Sequence, residues 1–300
     1  MCSGSGAPEP VTYAASVMAA VLALMSSVLW GTADFFGGLL AKRLPTLLVV
    51  ALSQATAVLI LLPVVVVTGA WHAEVGYVPW AIVWGVTGPL GLAAFYYALS
   101  IGTMGVVSPI SAMGIVIPVV VGTAAGERPD VGSIMGIVVA AVGVVLVGGP
   151  DVHTDLDSSQ EHGWRPIAFA VVAALGFGSS YVFLAGGSQY SVVMTLVVQR
   201  SVSATVAGLL VLVLVGWSRP SVRDLSAMAA VGAGDMGANA FYGWSSTLGL
   251  LSVTAVFGSL FPVMTLFLAR GLLGERLSRL QRVGVTLAMT GIVVLAAAGA

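Results

Sequence analysis

The sequence predicts an all-α integral membrane protein with ten transmembrane helices, arranged as two inverted five-helix repeats. Hydrophobic residues make up 58% of the 300-residue chain and charged residues only 8%, whereas a soluble protein carries roughly 25% charged residues. So few charges cannot cover a water-facing surface, and the apolar residues must therefore face lipid. Ten spans of about 20 residues use roughly 200 residues and leave about 100 for loops and tails.

Apolar runs bounded by glycine, proline and charged residues place the ten helices in order. The first five are predicted at 14–38, 46–68, 78–99, 104–125 and 131–149, and the second five at 165–186, 191–216, 226–247, 251–273 and 281–299. The predicted organisation is a tail at 1–13, a first repeat at 14–149, an acidic linker at 150–164 and a second repeat at 165–300.

Composition and charge exclude several classes of function. The net charge of -1 argues against a nucleic-acid partner. The single cysteine, Cys2, excludes a disulfide framework and a cysteine metal site. The single lysine, Lys42, lies outside any phosphate-binding loop motif. No histidine lies inside a predicted span, and we interpret the linker histidines as part of a solvated connector. We therefore expect no enzymatic activity, no metal and no cofactor.

An internal repeat sets the architecture. Gly126–Arg128 recurs as Gly274–Arg276, and the same offset of 148 residues relates Gly143 to Gly291. Five helices is an odd number, so the second copy must enter the membrane in the opposite orientation. Inverted repeats recur in secondary transporters, whose solute site lies near the midplane between the halves.

Two stretches carry a family resemblance. The first, Trp30–Gly38, ends the first span, and the second runs from Ser259–Val263 to Leu273–Ser278. They resemble the EamA branch of the drug/metabolite transporter superfamily, over essentially the whole chain. The first repeat departs from the pattern, because Gly114 stands where the second has Pro262. The resemblance implies a plasma-membrane protein that exports or exchanges small metabolites, amino acids or drugs, and it does not identify the solute.

Three ionisable residues, Asp34, Arg200 and Asp235, lie inside predicted spans. Each requires a function or a partner, since a charge at the membrane centre costs about 3 kcal/mol on insertion scales. Asn239 and Tyr242 follow Asp235 by four and seven residues, so the three share one helix face. The side chains expected to line a common cavity are Trp30, Asp34, Tyr96, Ser108, Ser111, Ser179, Ser180, Tyr181, Asp235, Asn239 and Tyr242.

Two interpretations of the carboxylates stay open. In the first, Asp34 or Asp235 carries a proton or holds a substrate amine, because desolvation favours the neutral form of a carboxyl. In the second, Arg200 neutralises one of them in a structural ion pair. Gln54 occupies the matching place in the second span and supplies no charge. The structural ion-pair candidates are Arg200 and, at span ends, Glu127, Arg128, Glu275 and Arg276.

The function of the whole chain is also open between two classes. One is a secondary transporter, proton-coupled or facilitative, acting on a small-molecule solute. The other is a non-transporting scaffold or sensor, which predicts closed polar pairs in place of a cavity. The positive-inside rule places both termini outside, whereas the resemblance places them in the cytoplasm. The expected partners are the solute, protons and the lipid bilayer, and the expected oligomeric state is a monomer or homodimer.

Overall fold

The computed structural model describes residues 10–102, 104–147, 164–216, 220–273 and 279–298. Within these ranges the ordered elements are helices, and none is a strand. The helices of the first half are α1 (Pro10–Ala41), α2 (Thr46–Thr68), α3 (Val78–Ile101), α4 (Met104–Ala112), α5 (Val116–Ala124) and α6 (Val131–Val147). Those of the second half are α7 (Trp164–Ser188), α8 (Val192–Leu210), α9 (Val222–Leu248), α10 (Leu251–Gly258), α11 (Phe261–Leu273) and α12 (Arg279–Ala298).

Six helical segments of the described residues are long and apolar enough to cross a membrane. They are Ala14–Ala41, Thr46–Thr68, Val75–Ile101, Trp164–Ser188, Val192–Val215 and Leu251–Leu272. The segments Ile110–Ala124 and Val131–Leu146 are apolar but shorter. Helix α9 is long enough at 27 residues, but it is more polar because it carries Asp235 and Asn239. The prediction of an all-α membrane protein is confirmed, and the count of ten spans stays a prediction.

Two predicted helices are interrupted, which corrects the expectation that each is continuous. Between α4 and α5, residues Met113–Ile115 form a 3₁₀ turn, and α10 ends before α11 begins at Phe261. Proline explains both breaks. Pro118 has no N–H to donate to the carbonyl of Gly114, four residues earlier, and Pro262 is placed in the first turn of α11, where a missing N–H costs nothing.

The two halves meet through α6 and α12, whose backbones approach each other closely at two glycines. A side chain at Gly143 would collide with the backbone of Ala288, and one at Gly291 would collide with that of Ala140. At the repeat offset of 148, Gly143 corresponds to Gly291 and Ala140 to Ala288, so the two contacts are equivalents of each other. Because the earlier residue of one helix meets the later residue of the other, α6 and α12 run antiparallel.

The contacts between the other helices also occur in pairs that the repeat relates to each other. Helix α1 packs on α9 and α3 packs on α7, while α2 packs on α8. Helix α3 contacts α8, and its equivalent, α9, contacts α2. A pseudo-two-fold axis therefore passes between α2 and α8 and between α6 and α12. Helices α1, α2, α3, α7, α8 and α9 enclose the space between them. The linker at 150–163 and the turn holding Glu275 and Arg276 lie outside the described residues.

A buried polar cavity between the two halves

A cavity of about 70 Å³ lies between the halves, near the pseudo-two-fold axis. This is room for several water molecules, since one water needs about 10–15 Å³ measured in this way. Both halves contribute to its walls. The lining residues are Trp30, Asp34, Gln54, Trp84, Gly88, Leu92, Phe177, Ser180, Tyr181, Leu184, Gln199, Arg200, Asp235, Asn239, Tyr242 and Phe261.

An ion pair crosses the cavity from α8 to α9. Arg200 Nη1 lies 2.7 Å from Asp235 Oδ2, and it also donates a hydrogen bond of 2.6 Å to Gln54 Oε1 on α2. Arg200 is only 2% exposed. Helices α2 and α8 begin 146 residues apart, and the same offset relates Gln54 to Arg200. The two equivalent positions therefore touch each other across the pseudo-two-fold axis.

The second oxygen of Asp235 is also hydrogen-bonded. Asp235 Oδ1 accepts from Trp30 Nε1 at 3.2 Å and from Asn239 Nδ2 at 3.0 Å. Asn239 Nδ2 also donates to the backbone carbonyl of Asp235 at 2.6 Å. With Arg200 on its other oxygen, the Asp235 carboxylate has partners from α1, α8 and α9. Each of its two carboxylate oxygens therefore has at least one partner.

Asp34 differs from Asp235, although both line the cavity. It lies one helical turn beyond Trp30 on α1 and is 6% exposed. Among the described residues it has neither a hydrogen bond nor an ion pair. Asp34, Asp235 and Arg200 are the charged members of the lining. With all three ionised, the lining carries a formal charge of -1, and that excess charge belongs to Asp34.

Other polar atoms at the cavity are buried without partners. Within the part of the chain that the structure describes, they are Nε and Nη2 of Arg200, Oε1 of Gln199 and the hydroxyl oxygen of Tyr242. The Gln199 amide nitrogen is engaged, because it donates to Ser203 Oγ at 2.8 Å. Buried polar atoms without a partner are rare in proteins. These four atoms therefore have unused hydrogen-bonding capacity in this conformation. Gln199 was not predicted from the sequence, although an amide inside an apolar span is a signal that points to it.

Three aromatic rings pack together at one end of the cavity. The ring centroids of Trp30, Tyr181 and Tyr242 lie 4.9–5.7 Å apart. They converge on Gly258, where a Cβ would lie 3.1–3.4 Å from each of the three side chains. We call Trp30, Tyr181 and Tyr242 the first aromatic cluster.

Beyond this cluster lies an open vestibule of about 680 Å³. One helical turn past Tyr181, Ala185 lines the vestibule, and one turn past Tyr242, Ser246 does so. The cavity and the vestibule therefore lie about one helical turn apart along α7 and α9. Glu127 also borders the vestibule, where its carboxylate accepts hydrogen bonds from the backbone N–H groups of Leu251 at 2.6 Å and Ser252 at 3.1 Å. It caps the otherwise unsatisfied N-terminus of α10, and Arg128 beside it is exposed.

A second aromatic cluster, not anticipated from the sequence, consists of Phe95, Phe177 and Phe261. Its ring centroids lie 5.1–6.2 Å apart. At an offset of 147, Phe177 corresponds to Trp30 and Phe95 to Tyr242. The pseudo-two-fold axis thus relates a ring pair of one cluster to a ring pair of the other. The repeat offset of 147 residues, which can be read from the sequence, is the signal that could have predicted this correspondence between the two clusters.

Seven of the eleven predicted cavity residues line the cavity, and four do not. Tyr96 is buried against Gly37, where any side chain would collide with its ring. Ser111 Oγ donates to the carbonyl of Val107, and Ser179 Oγ to that of Leu175. Ser108 is buried away from the lining. The residues that do line it are Trp30, Asp34, Ser180, Tyr181, Asp235, Asn239 and Tyr242.

Two antiparallel halves around a buried polar cavity are the architecture of secondary membrane transporters. The chain belongs to the EamA-like transporter family, whose family model matches residues 17–149 and again residues 164–297. It is therefore a multi-pass membrane protein of the drug/metabolite transporter type. The resemblance stated from the sequence motifs is confirmed.

Structural comparison supports the same fold. One solved structure, described only as the crystal structure of a protein, superposes on this chain with a TM-score of 0.71. The two are 17% identical, and the match covers 92% of this chain and 95% of that one. At this identity the likeness concerns the fold alone. No curated protein sequence matches the chain.

Proposed function

We propose that the protein is a secondary transporter of the plasma membrane that exports a small solute by alternating access, with Asp34 carrying the coupling proton. One observation carries the proposal: the cavity between the halves holds a buried carboxylate, Asp34, that has no counter-ion among the described residues. Such a group is expensive inside a membrane, and intramembrane carboxylates commonly mark proton relays or substrate paths. The family resemblance implies export or exchange, and of these two we propose export.

Asp34 is a better proton carrier than Asp235. The ionised form of Asp235 is stabilised by Arg200 at 2.7 Å and by two further hydrogen bonds. Protonating Asp235 would leave the buried guanidinium of Arg200 without its opposite charge, which is costly. Protonating Asp34 removes an uncompensated charge and breaks no hydrogen bond. The proton therefore belongs on Asp34 when the cavity holds no solute.

Alternating access needs a barrier on each side of the solute site. The two aromatic clusters supply suitable groups, since equivalent ring pairs are related by the pseudo-two-fold axis. Exchanging the conformations of the halves would loosen one cluster and tighten the other. The vestibule beyond the first cluster provides the aqueous approach to the barrier on that side.

The test is a proton-flux assay with purified protein in liposomes that contain a pH-sensitive dye. Panels of amino acids, sugars and cationic drugs are added to the wild type, Asp34→Asn and Asp235→Asn. Asp130→Asn is the matched control, because Asp130 is an acid outside the cavity that accepts hydrogen bonds from Ser133 at the start of α6. We expect one class of compound to move protons in the wild type and the control, and Asp34→Asn to lose this flux.

Counterflow of labelled solute separates coupling from transport. Asp34→Asn should retain counterflow, because exchange on both sides needs no net proton movement. If the wild type shows neither proton flux nor counterflow for any panel compound, the transport proposal is wrong. If Asp34→Asn keeps its proton flux while Asp235→Asn loses it, the carrier is assigned to the wrong carboxylate.

The closed network around Asp235 favours the competing function, a scaffold or sensor. Such a protein would keep Asn239 buried permanently. Asn239→Cys, in a chain with Cys2→Ser, should react with a small aqueous thiol reagent if the cavity opens during transport. Complete protection in membranes, with labelling only after denaturation, would favour the scaffold.

A further inference from the structure

We propose that the outer face of α12 binds an anionic phospholipid, with Arg279 and Arg282 binding the phosphate of its headgroup. This inference goes beyond the proposed function and does not depend on it, because the site lies outside the cavity between the halves. Three observations carry it: a groove that combines two arginines with apolar side chains, the depth of that groove in the membrane, and the composition of the equivalent face of α6.

The groove runs along one face of α12 and has a volume of about 400 Å³. The residues that line it are Arg279, Arg282, Val283, Thr286 and Leu287. Their spacing of three, four, seven and eight residues places them on one side of the helix. Ala288 and Gly291, which contact α6, lie on the other side. The groove therefore faces away from the rest of the protein and towards lipid.

The two arginines of the groove have no acidic partner within the described part of the chain. Both are exposed, and the ion pairs among the described residues are Arg43–Asp224 and Arg200–Asp235. On a helix, side chains three residues apart are neighbours, with Cβ atoms about 5–6 Å apart. A phosphate between the two guanidinium groups would offset their mutual repulsion and accept charge-assisted hydrogen bonds from both.

The arginines lie at the depth of the lipid headgroups. Helix α12 has 20 residues and is therefore about 30 Å long, which matches the thickness of the hydrocarbon core. Its first turn, with Arg279 and Arg282, thus lies at the boundary between hydrocarbon and headgroups. Val283 and Leu287 lie roughly 6 and 12 Å deeper than Arg279, beside the acyl chains. A ligand that matches both parts of the groove has an anionic head and an apolar tail, as a phospholipid does and a soluble phosphate does not.

The equivalent face of α6 shows that the fold does not require these arginines. At the repeat offset of 148, Arg279 corresponds to Val131 and Arg282 to Ile134. The two α6 residues are 74% and 49% exposed, so that face presents an apolar surface to lipid. Arginine costs more than valine or isoleucine at the edge of a membrane unless its charge is used. The arginines of α12 are therefore better explained by a ligand than by packing.

Native mass spectrometry of the purified full-length protein tests the ligand. The protein, in a non-ionic detergent, receives equal amounts of dioleoylphosphatidylglycerol and dioleoylphosphatidylcholine, which share their acyl chains and differ in headgroup charge. One basic residue near an anionic membrane surface contributes about fivefold in affinity. We therefore expect one phosphatidylglycerol to be retained, with a preference of roughly twentyfold over phosphatidylcholine for the two arginines together. Glycerol 3-phosphate in excess, which has the phosphate without the acyl chains, should not displace it.

Double variants separate the groove from the general charge of the protein. Arg279→Gln with Arg282→Gln should bind the two lipids equally, whereas Arg279→Lys with Arg282→Lys keeps the charge and should retain part of the preference. Arg165→Gln with Arg223→Gln is the matched control, because it removes the same charge from exposed arginines in the first turns of α7 and α9. This control should retain phosphatidylglycerol as the wild type does. A thermal melt and a size-exclusion profile check that each variant is folded.

Three results would overturn the inference. Equal retention of the two lipids by the wild type would show that the groove does not select an anionic headgroup. An unchanged preference in Arg279→Gln with Arg282→Gln, or an equal loss in the control pair, would show that the selection does not lie in this groove. Displacement of the lipid by glycerol 3-phosphate would assign the arginines to a soluble phosphate. None of these results bears on transport, so the proposed function is tested separately.

Discussion

Replacing Arg200 by glutamine should destabilise the protein strongly, because the change leaves Asp235 without its opposite charge. Arg200 is 2% exposed, and its Nη1 lies 2.7 Å from Asp235 Oδ2. Removing one partner of a buried ion pair typically costs about 3–5 kcal/mol. Two neutral hydrogen bonds to Asp235, from Trp30 and Asn239, remain and compensate only in part. We therefore expect Arg200→Gln to lower the midpoint of thermal unfolding in detergent by several degrees.

A surface ion pair of nearly the same length provides the matched control. Arg43 Nη2 lies 2.8 Å from Asp224 Oδ1, but the Arg43 side chain is 56% exposed. Solvent screens such a pair, and its removal has little effect. Arg43→Gln should therefore melt close to the wild type. The double variant Arg200→Gln with Asp235→Asn should recover most of the loss, because it removes the uncompensated charge. Equal melting temperatures for Arg200→Gln and Arg43→Gln would refute the reasoning.

Two further predictions concern the packing of α6 on α12 and the cap of α10. Gly143→Val should abolish the yield of folded protein in size-exclusion chromatography, because a side chain there collides with the backbone of Ala288. Gly208→Val, at a glycine with open space beside it, should express normally, and equal loss in both variants would contradict the packing argument. Glu127→Ala should lower the unfolding midpoint by an amount corresponding to about 1–2 kcal/mol, since helix caps contribute on this order. A Glu127→Ala protein that melts like the wild type would show that α10 does not depend on this cap.

The sequence predicted much of the site because one signal is strong in membrane proteins. Charged side chains inside apolar spans are rare, so Asp34, Arg200 and Asp235 stood out without any structure. Helical spacing then connected Asp235 to Asn239 and Tyr242, and all three line the cavity. The ion pair was one of two open interpretations. The structure places Arg200 beside Asp235, while Asp34 has no such partner in the part of the chain that is described.

Other features of the cavity could not be predicted from the sequence and became visible only in the tertiary structure. Ser111 and Ser180 both donate a hydrogen bond to a carbonyl of their own helix, but Ser111 faces α7 at Ala170 whereas Ser180 lines the cavity. Nothing in the sequence around the two serines distinguishes these two positions. Gln199 and Trp84 line the cavity because α8 and α3 meet there, and that contact joins residues more than a hundred positions apart. Periodicity along one helix does not predict such a meeting.

The helices of the two halves are arranged symmetrically, but the residues at equivalent positions of the cavity differ in charge and polarity. At an offset of 147, Gly88 and Leu92 of the first half stand where the second half has Asp235 and Asn239. The same offset places Tyr181 at the position equivalent to Asp34, and Gln54 matches Arg200 at 146. The ion pair therefore belongs entirely to the second half and the unpaired carboxylate to the first.

This division has a consequence for the proposed mechanism. If the halves move relative to each other, the distance between Asp34 and the Arg200–Asp235 pair changes while the pair itself stays intact. Moving Asp34 closer to the guanidinium would favour release of its proton, and moving it closer to Asp235 would favour uptake. The two access states would then differ in proton affinity, although the fold that exchanges them is nearly symmetric. In this mechanism the two equivalent halves provide the conformational change. The residues that differ between them couple that change to the uptake and release of the proton.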